Sequence, residues 1–223
     1  MYIGPAVGDP TLGKLDFFFS KHKLLKYKKG EVITRAGEVP SGIFYLKKGY
    51  VRVYSFSKNG EELSLIIFKP GDIFPVSWAI NKVTTSYFVE AMTEAFLWRV
   101  PRDQFLKFVK DKPDILFEIS RRMLERFLGL MRRMEYMVFG NARAKVASIL
   151  VICAERFGKK SAGGHVEIEV PLTHNDIATL VGLSRETVSI EMGKLADKEL
   201  ISYRRKLISI ANLAALRKES LLD

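Results

Sequence analysis

Cysteine and histidine are scarce in this sequence of 223 residues, which contains one cysteine and three histidines. An iron–sulfur cluster takes about four thiolate ligands, so the cysteine count excludes one. The sequence offers only three histidines, His22, His165 and His174, which give poor support for haem ligation or a metal centre. Cys153 lies within an apolar run and is interpreted as a small core residue rather than a nucleophile or redox sensor. We therefore predict no metal and no cofactor.

Long apolar runs are absent as well. No run approaches the ~18 residues that a membrane span requires. The segment Met1–Gly13 lacks the charged start and continuous apolar stretch of a signal peptide. The hydrophobic fraction of 48% is nevertheless high enough for a buried core. We expect a cytoplasmic protein with no membrane partner.

Negative charge is in deficit, since 36 Lys and Arg outweigh 25 Asp and Glu and give a net charge of +11. A strongly basic chain favours an anionic partner such as nucleic acid. More than half of this excess lies before residue 110, so charge alone does not locate the binding site.

Short strand-like runs separated by glycines fill residues 24–101. The clearest runs are 43–46, 51–54, 63–68 and 96–100. Short strands at regular spacing with turn signals between them are typical of an antiparallel β-roll or jelly roll. We assign residues 1–112 to this domain.

The segment 171–202 has the pattern of two short helices around a tight turn. Thr173 is a good N-cap with Asp176 three residues later, and Gly182 ends the first helix. Ser184 can cap the second helix. The apolar positions of that helix share one face through spacings of four and three, and they are Val188, Met192 and Leu195. This pattern predicts a helix-turn-helix, which binds duplex DNA.

Around this motif we predict a helix over 142–157, a loop over 158–164, a strand over 166–170 and a hairpin over 200–210. The hairpin has the character of a wing with basic residues at its tip. Residues 141–223 are therefore assigned to a winged helix-turn-helix domain.

The face of the second helix opposite its apolar positions carries Arg185, Glu186 and Ile190. These side chains suit guanine, the cytosine amino group and the thymine methyl, respectively. An exposed isoleucine at the centre of a polar face requires a partner, which argues against a merely solvated surface helix. The complete set of candidate DNA-binding residues is Thr173, His174, Ser184, Arg185, Glu186, Thr187, Ser189, Ile190, Lys194, Arg204, Arg205 and Lys206.

A long helix is predicted over 113–139, followed by a hinge, so that 113–140 forms a third segment. Its apolar stripe has a mean spacing near the 3.5 of a coiled-coil seam. The stripe consists of Leu116, Ile119, Met123, Phe127, Leu130, Met134 and Met137. A core helix of a larger domain would also show such a stripe. Because a two-fold DNA reader needs a two-fold protein axis, we interpret it as the dimer interface.

The run THNDIATLVGLSRETVS, residues 173–189, resembles the recognition signature of the Crp/Fnr family of bacterial transcription regulators. Stretches of the predicted roll, among them GIFYLKKGYVRVY and FKPGDIF, resemble the family's cyclic-nucleotide-binding-like sensor domain. The resemblance covers roughly residues 24–215. It implies an α+β fold and a homodimer that binds a pseudo-palindromic duplex DNA site, with RNA polymerase as a further partner. Where the family commonly has a second base-reading arginine, this chain has Ile190.

Members of the cyclic-AMP type hold the nucleotide through a glycine–glutamate pair and an arginine–serine pair. Here Pro75-Val76 stands in place of the first pair, and residues 81–86 contain no arginine. A cyclic phosphate buried without a cation costs several kcal/mol, so the sequence argues against cyclic AMP as effector.

Two alternatives remain open for the roll. It either binds an unknown apolar or aromatic small-molecule effector, or its aromatic residues fill the core and the protein binds DNA without an effector. The candidate effector pocket consists of Phe74, Val76, Trp78, Thr84, Thr85, Tyr87, Leu130 and Met131.

Two other functional classes compete with a transcription regulator. A cupin-like enzyme would require clustered histidine and carboxylate ligands, and residues 24–101 contain no histidine. An interaction module with secondary DNA binding is the other alternative. The prediction is a DNA-binding regulator that is not an enzyme.

Overall fold

The computed structural model describes residues 10–161 and 164–222, which form a mixed α+β fold. The chain divides into two compact units within one long helix: the first extends to Leu124 and the second begins at Glu125.

The first unit contains two four-stranded antiparallel sheets, with strand orders β1-β8-β3-β6 and β2-β7-β4-β5. The strands are β1 (Lys23–Tyr27), β2 (Val32–Thr34), β3 (Ile43–Lys48), β4 (Val51–Phe56), β5 (Glu62–Phe68), β6 (Ile73–Phe74), β7 (Phe88–Ala91) and β8 (Ala95–Val100). The predicted antiparallel roll is confirmed. At the β3–β4 turn Gly49 has φ +91°, and a side chain there would run into the Glu94 backbone, so the turn requires glycine.

Three helices that the sequence analysis did not predict flank the strands: α1 (Pro10–Ser20), α2 (Val76–Asn81) and α3 (Arg102–Lys110). They are short, and their apolar residues are buried by contacts with segments that are distant in sequence. Phe19 of α1, for example, packs against Tyr45 of β3 and Phe105 of α3.

Two apolar clusters form the core of this unit. The first is made by facing strands, and at its centre Phe74 stacks on Phe68 and Phe44 at ring-centroid distances of 4.7 and 5.6 Å. The second joins the helices to the outside of β3 and contains Leu15, Tyr45, Val76, Phe105, Ile115 and Ile119. Strand β3 is buried on both faces, which explains its continuous apolar run, Ile43–Leu46.

Helix α4 (Pro113–Phe139) has one buried face and one exposed apolar face. Of the predicted stripe, Leu116, Met123, Phe127, Leu130 and Met134 are exposed. Two other members of the stripe lie elsewhere: Ile119 is 6% exposed in the core of the first unit, and Met137 is half-buried. Met137 is covered in part by its own unit, since a Cβ added at Gly182 would lie 3.6 Å from the Met137 methyl group. The exposed face instead includes Phe117, Leu124, Leu128, Met131 and Val138.

The second unit contains α5 (Ala142–Phe157), α6 (His174–Val181), α7 (Arg185–Asp197) and α8 (Leu213–Lys218). Its antiparallel sheet has the order β11-β12-β10-β9, formed by β9 (Gly158–Lys160), β10 (Val166–Ile168), β11 (Ile201–Arg204) and β12 (Leu207–Ile210).

The loop prediction for 158–164 is wrong at its start. Residues Gly158–Lys160 pair with β10 as strand β9, although all three are exposed. A polar Gly-Lys-Lys sequence has no alternating pattern, so its pairing comes from the neighbouring strand and was invisible in the sequence. Residues 162 and 163 of that predicted loop lie outside the described residues.

Candidate nucleic-acid interface

The two motif helices begin and end through local hydrogen bonds. The Asp176 N–H donates to Thr173 Oγ1 at 3.1 Å, and the Thr173 N–H donates to Asp176 Oδ2 at 2.8 Å, which completes a capping box. Gly182 ends α6 with φ 65°, and Ser184 Oγ accepts from the Thr187 N–H at 3.1 Å to begin α7. The predicted caps are confirmed.

Helix α7 buries the face that the spacing predicts. Val188, Met192 and Leu195 are buried, and the C-terminal unit's other helices α5 and α6 contact α7. Arg185 and Glu186 are exposed near its start, and Ile190 is 58% exposed. A side chain added at Gly193 would meet no atom within 4 Å, so bare backbone lies next to Ile190 and Lys194 on this helix. Arg185, Glu186 and Ile190 form a surface that we call the reading face.

His174 lies between α7 and the β11–β12 hairpin. Its Nδ1 is 2.6 Å from Ser189 Oγ, and its Nε2 is 2.7 Å from the Tyr203 hydroxyl. The sequence analysis placed His174 among the candidate DNA-binding residues. The structure instead engages both ring nitrogens with protein hydroxyls, and Thr173 takes the capping role.

Lys194 is not a free cation. Its ammonium group lies 2.6 Å from Oε1 of Glu191, a carboxylate on α7 that is only 8% exposed. Arg143 of α5 approaches the other oxygen of Glu191 at 3.4 Å. The hydrogen bond from Lys194 lowers the pKa of Glu191 in spite of the opposing effect of burial. The charge of Lys194 is therefore partly neutralised, and its predicted phosphate contact would have to compete with this ion pair.

The sequence did not lead us to predict a role for Glu191, although this residue lies next to the predicted reading residue Ile190. Its spacing of three from Lys194 was the available signal, because such pairs meet on one helix face. The partner on α5 is remote in sequence and left no local pattern.

Strands β11 and β12 form the predicted wing. The turn residues Arg205 and Lys206 have φ 48° and 68°, the left-handed region in which non-glycine residues pay a steric cost of about 1–2 kcal/mol each. Arg204, Arg205 and Lys206 are all exposed. The tip therefore places cations where a tight hairpin usually has an Asn-Gly pair.

Within the first unit, the candidate effector residues are divided between two apolar clusters and an exposed loop. Phe74 belongs to the inter-strand cluster, whereas Val76 and Trp78 pack with the helical cluster. Thr84 and Tyr87 are exposed and Thr85 is half-buried in the loop before β7, where the Thr85 carbonyl accepts from Gly37. In the second unit, Leu130 and Met131 are exposed.

Within the described residues, no group of three or more histidine, cysteine, aspartate or glutamate side chains is placed to hold a metal ion. None of the helices in the described ranges is long and apolar enough to span a bilayer.

Comparison with known proteins agrees with this architecture. A cyclic nucleotide-binding domain model matches residues 24–112, and a Crp-like helix-turn-helix domain model matches residues 144–219. The chain belongs to the Crp/Fnr family of DNA-binding transcription regulators. The predicted family and α+β fold are thus confirmed.

Similar proteins span almost the whole chain. The cAMP-activated global transcriptional regulator CRP of Pasteurella multocida is 27% identical over 204 residues, which are 91% of this chain and 95% of that relative. The global nitrogen regulator of Nostoc sp. is 25% identical over 195 residues, covering 86% of this chain and 87% of the relative. The structure of FixK2 from Bradyrhizobium japonicum has a similar fold, with a TM-score of 0.77 at 20% identity over 90% of this chain and 98% of that chain.

Proposed function

We propose that this protein is a homodimeric transcription regulator that binds a pseudo-palindromic DNA site through two copies of the reading face. The carrying observation is the capped helix α7, which buries Val188, Met192 and Leu195 and thereby exposes Arg185, Glu186 and Ile190 together. Arg185 would read guanine, Glu186 a cytosine amino group and Ile190 a thymine methyl. Ser184, Thr187 and the cationic wing tip would contact phosphates. RNA polymerase is the partner on which such a regulator would act.

The exposed apolar face of α4 supports the homodimer. Large side chains such as Phe127 and Met134 are more than half exposed on a helix whose opposite face is buried. A contiguous apolar surface of this kind is typical of a protein interface. A second copy of the helix would cover it and would place two reading faces for one DNA site.

We further propose that the regulator does not depend on cyclic AMP. The relative from P. multocida is cAMP-activated. This chain has Pro75-Val76 in place of the glycine–glutamate pair and an arginine-free segment 81–86 in place of the arginine–serine pair. Val76 is buried among apolar side chains, and its own side chain offers no acceptor for a ribose hydroxyl. The separation of Phe74 from Trp78 favours the alternative in which aromatic residues fill the roll and DNA binding needs no effector.

The deciding experiment is selection of the preferred DNA site from a random pool, with and without a metabolite extract. We expect a two-fold symmetric site, recovered equally in both arms. The double variant R185A/E186A, which leaves the buried face of α7 unchanged, should retain salt-sensitive binding but lose sequence preference. Failure of the unaltered protein to enrich any sequence in either arm would refute the proposed function, and enrichment only with extract would favour an effector.

A further inference from the structure

The two strands of the wing are buried to different extents, since β12 is buried from Ile208 to Ile210 whereas β11 is buried only at Ile201. In β11, Ile201 is buried, whereas Ser202, Tyr203 and Arg204 are exposed. The tip residues Arg205 and Lys206 are exposed too, and they occupy the strained turn. Apolar packing on the β11 side therefore ends two residues before Tyr203, and the pairing of Tyr203 with the buried Ile208 of β12 holds only its backbone. A restraint on the Tyr203 side chain would further limit the orientations in which the neighbouring cations meet DNA.

His174 supplies such a restraint. It is the first residue of α6, and its side chain bridges Tyr203 of β11 and Ser189 of α7 through contacts of 2.7 and 2.6 Å. Tyr203 precedes the basic tip directly, and Ser189 precedes Ile190 of the reading face. Two hydrogen bonds thus connect the part of the chain that would contact phosphate with the part that would read bases.

The chemistry of the three groups fits this connection. A neutral imidazole has one donor and one acceptor nitrogen, and serine and tyrosine hydroxyls can each donate or accept. Both hydrogen bonds can form in either tautomer of the ring. With both nitrogens occupied, the imidazole is engaged within the protein and is not available as a phosphate ligand.

We infer that His174 is a positioning residue that holds the wing against α7, so that Arg205 and Lys206 contact phosphates of the half-site that Arg185, Glu186 and Ile190 read. The inference rests on the proposed function, because it assumes that α7 and the wing bind the same duplex. Without this restraint, the wing tip would have to be ordered on binding, and that ordering would reduce the binding free energy contributed by its cations.

The test uses two conservative replacements that separate the ring nitrogens. In H174Q the side-chain amide can reach the position of Nε2 and keep the bond to Tyr203. In H174N the shorter amide reaches only the position of Nδ1 and keeps the bond to Ser189. If the imidazole served only in packing, loss of the bond to the wing in H174N and loss of the bond to α7 in H174Q would have the same effect on DNA binding.

Affinity of the full-length protein for a mixed-sequence duplex is measured against salt concentration, which counts phosphate contacts independently of sequence. Each lost contact lowers the slope by about 0.9. We expect H174N and Y203F to lower it by up to about 1.8 per bound protomer, the contribution of two cations, while H174Q retains the slope. Y27F, which removes a phenol hydroxyl from a half-buried tyrosine of β1 in the first unit, is the matched control and should leave the slope unchanged.

A double-mutant cycle completes the test. In an R204A/R205A/K206A background the wing has no exposed cations left to position, so Y203F should have no further effect on affinity or slope. Additive effects, or equal slopes for H174N and H174Q, would overturn the inference while leaving DNA binding itself intact. If the unaltered protein binds no duplex at all, the proposed function fails instead.

Discussion

At the scale of single residues, Ile190 is the most informative about which DNA sequence the reading face would select. It is exposed at the centre of an otherwise polar reading face, in a position where the family commonly has arginine. An isoleucine can contact a thymine methyl but cannot hydrogen-bond to guanine. The base that it faces should therefore differ from the one that an arginine would select.

We predict that I190R changes the preferred base at one position of each half-site from thymine to guanine. A good bidentate pair is worth about 1–3 kcal/mol, so the relative affinity of the two sites should change by roughly ten-fold or more. Competition binding with two duplexes that differ at this base measures the effect. I190A is the control that removes the methyl contact without offering a new one, and an unchanged preference in I190R would exclude Ile190 from the interface.

Cys153 is a second informative residue, because its side chain on α5 is buried. Burial raises the pKa of the thiol to about 12, although nearby Arg156 and Arg133 oppose the effect. The thiol is therefore protonated in the folded protein well above the pH at which an unfolded cysteine ionises. Its contribution to stability is fully present below the unfolded pKa and is lost as pH rises through the folded value.

The resulting prediction concerns alkylation. At mildly alkaline pH an iodoacetamide reagent should label Cys153 only through unfolding, because the thiolate is the nucleophile and the folded protein contains almost none. Mass spectrometry with and without denaturant distinguishes the two states. Rapid labelling of the native protein would contradict the buried position.

At the scale of secondary-structure elements, the C-terminal half of α4 is joined to the helix-turn-helix by Arg133. This side chain is 7% exposed and donates to the carbonyl of Leu180 in the last turn of α6. A cation at the C-terminus of a helix is also favoured by the helix dipole. The arginine thus links the proposed dimer helix to the DNA-reading motif within one compact unit.

We predict that R133M lowers the free energy of unfolding of the C-terminal unit by about 1–3 kcal/mol, because a buried carbonyl loses a charged donor. Denaturant unfolding followed by circular dichroism measures the change. R132M, at the adjacent exposed position, is the matched control and should lie close to the unaltered protein. Equal stability of the two variants would show that the hydrogen bond contributes little.

At the scale of the whole molecule, the exposed face of α4 determines the proposed assembly. A glutamate at its centre would have to be buried without a partner in a dimer, at a cost of several kcal/mol for each copy. In a monomer the carboxylate of this glutamate would remain solvated. Oligomeric state is therefore the sensitive measurement.

M134E should produce a monomer in sedimentation experiments and lose most affinity for a two-half-site duplex. R132E changes charge on the same helix but outside the apolar face, so it should remain dimeric. An M134E protein that stays dimeric would place the interface elsewhere on the chain.

The sequence by itself determined the features that depend on near neighbours. The capping box at Thr173, the left-handed Gly182, the buried face of α7 and the hairpin wing all arise from residues within a few positions of one another. Their steric and hydrogen-bonding preferences act locally, so spacing alone predicted them.

The contacts between residues that lie far apart in sequence were decided only by the tertiary structure. It placed Ile119 in a core instead of on the α4 surface, paired β9 with β10, divided the candidate pocket between two clusters and engaged His174 with Ser189 and Tyr203. Local periodicity specifies which side of an element is apolar but not what covers it. That choice depends on packing and hydrogen bonding between distant segments, which is why the reading face was visible in the sequence and the restraint on its wing was not.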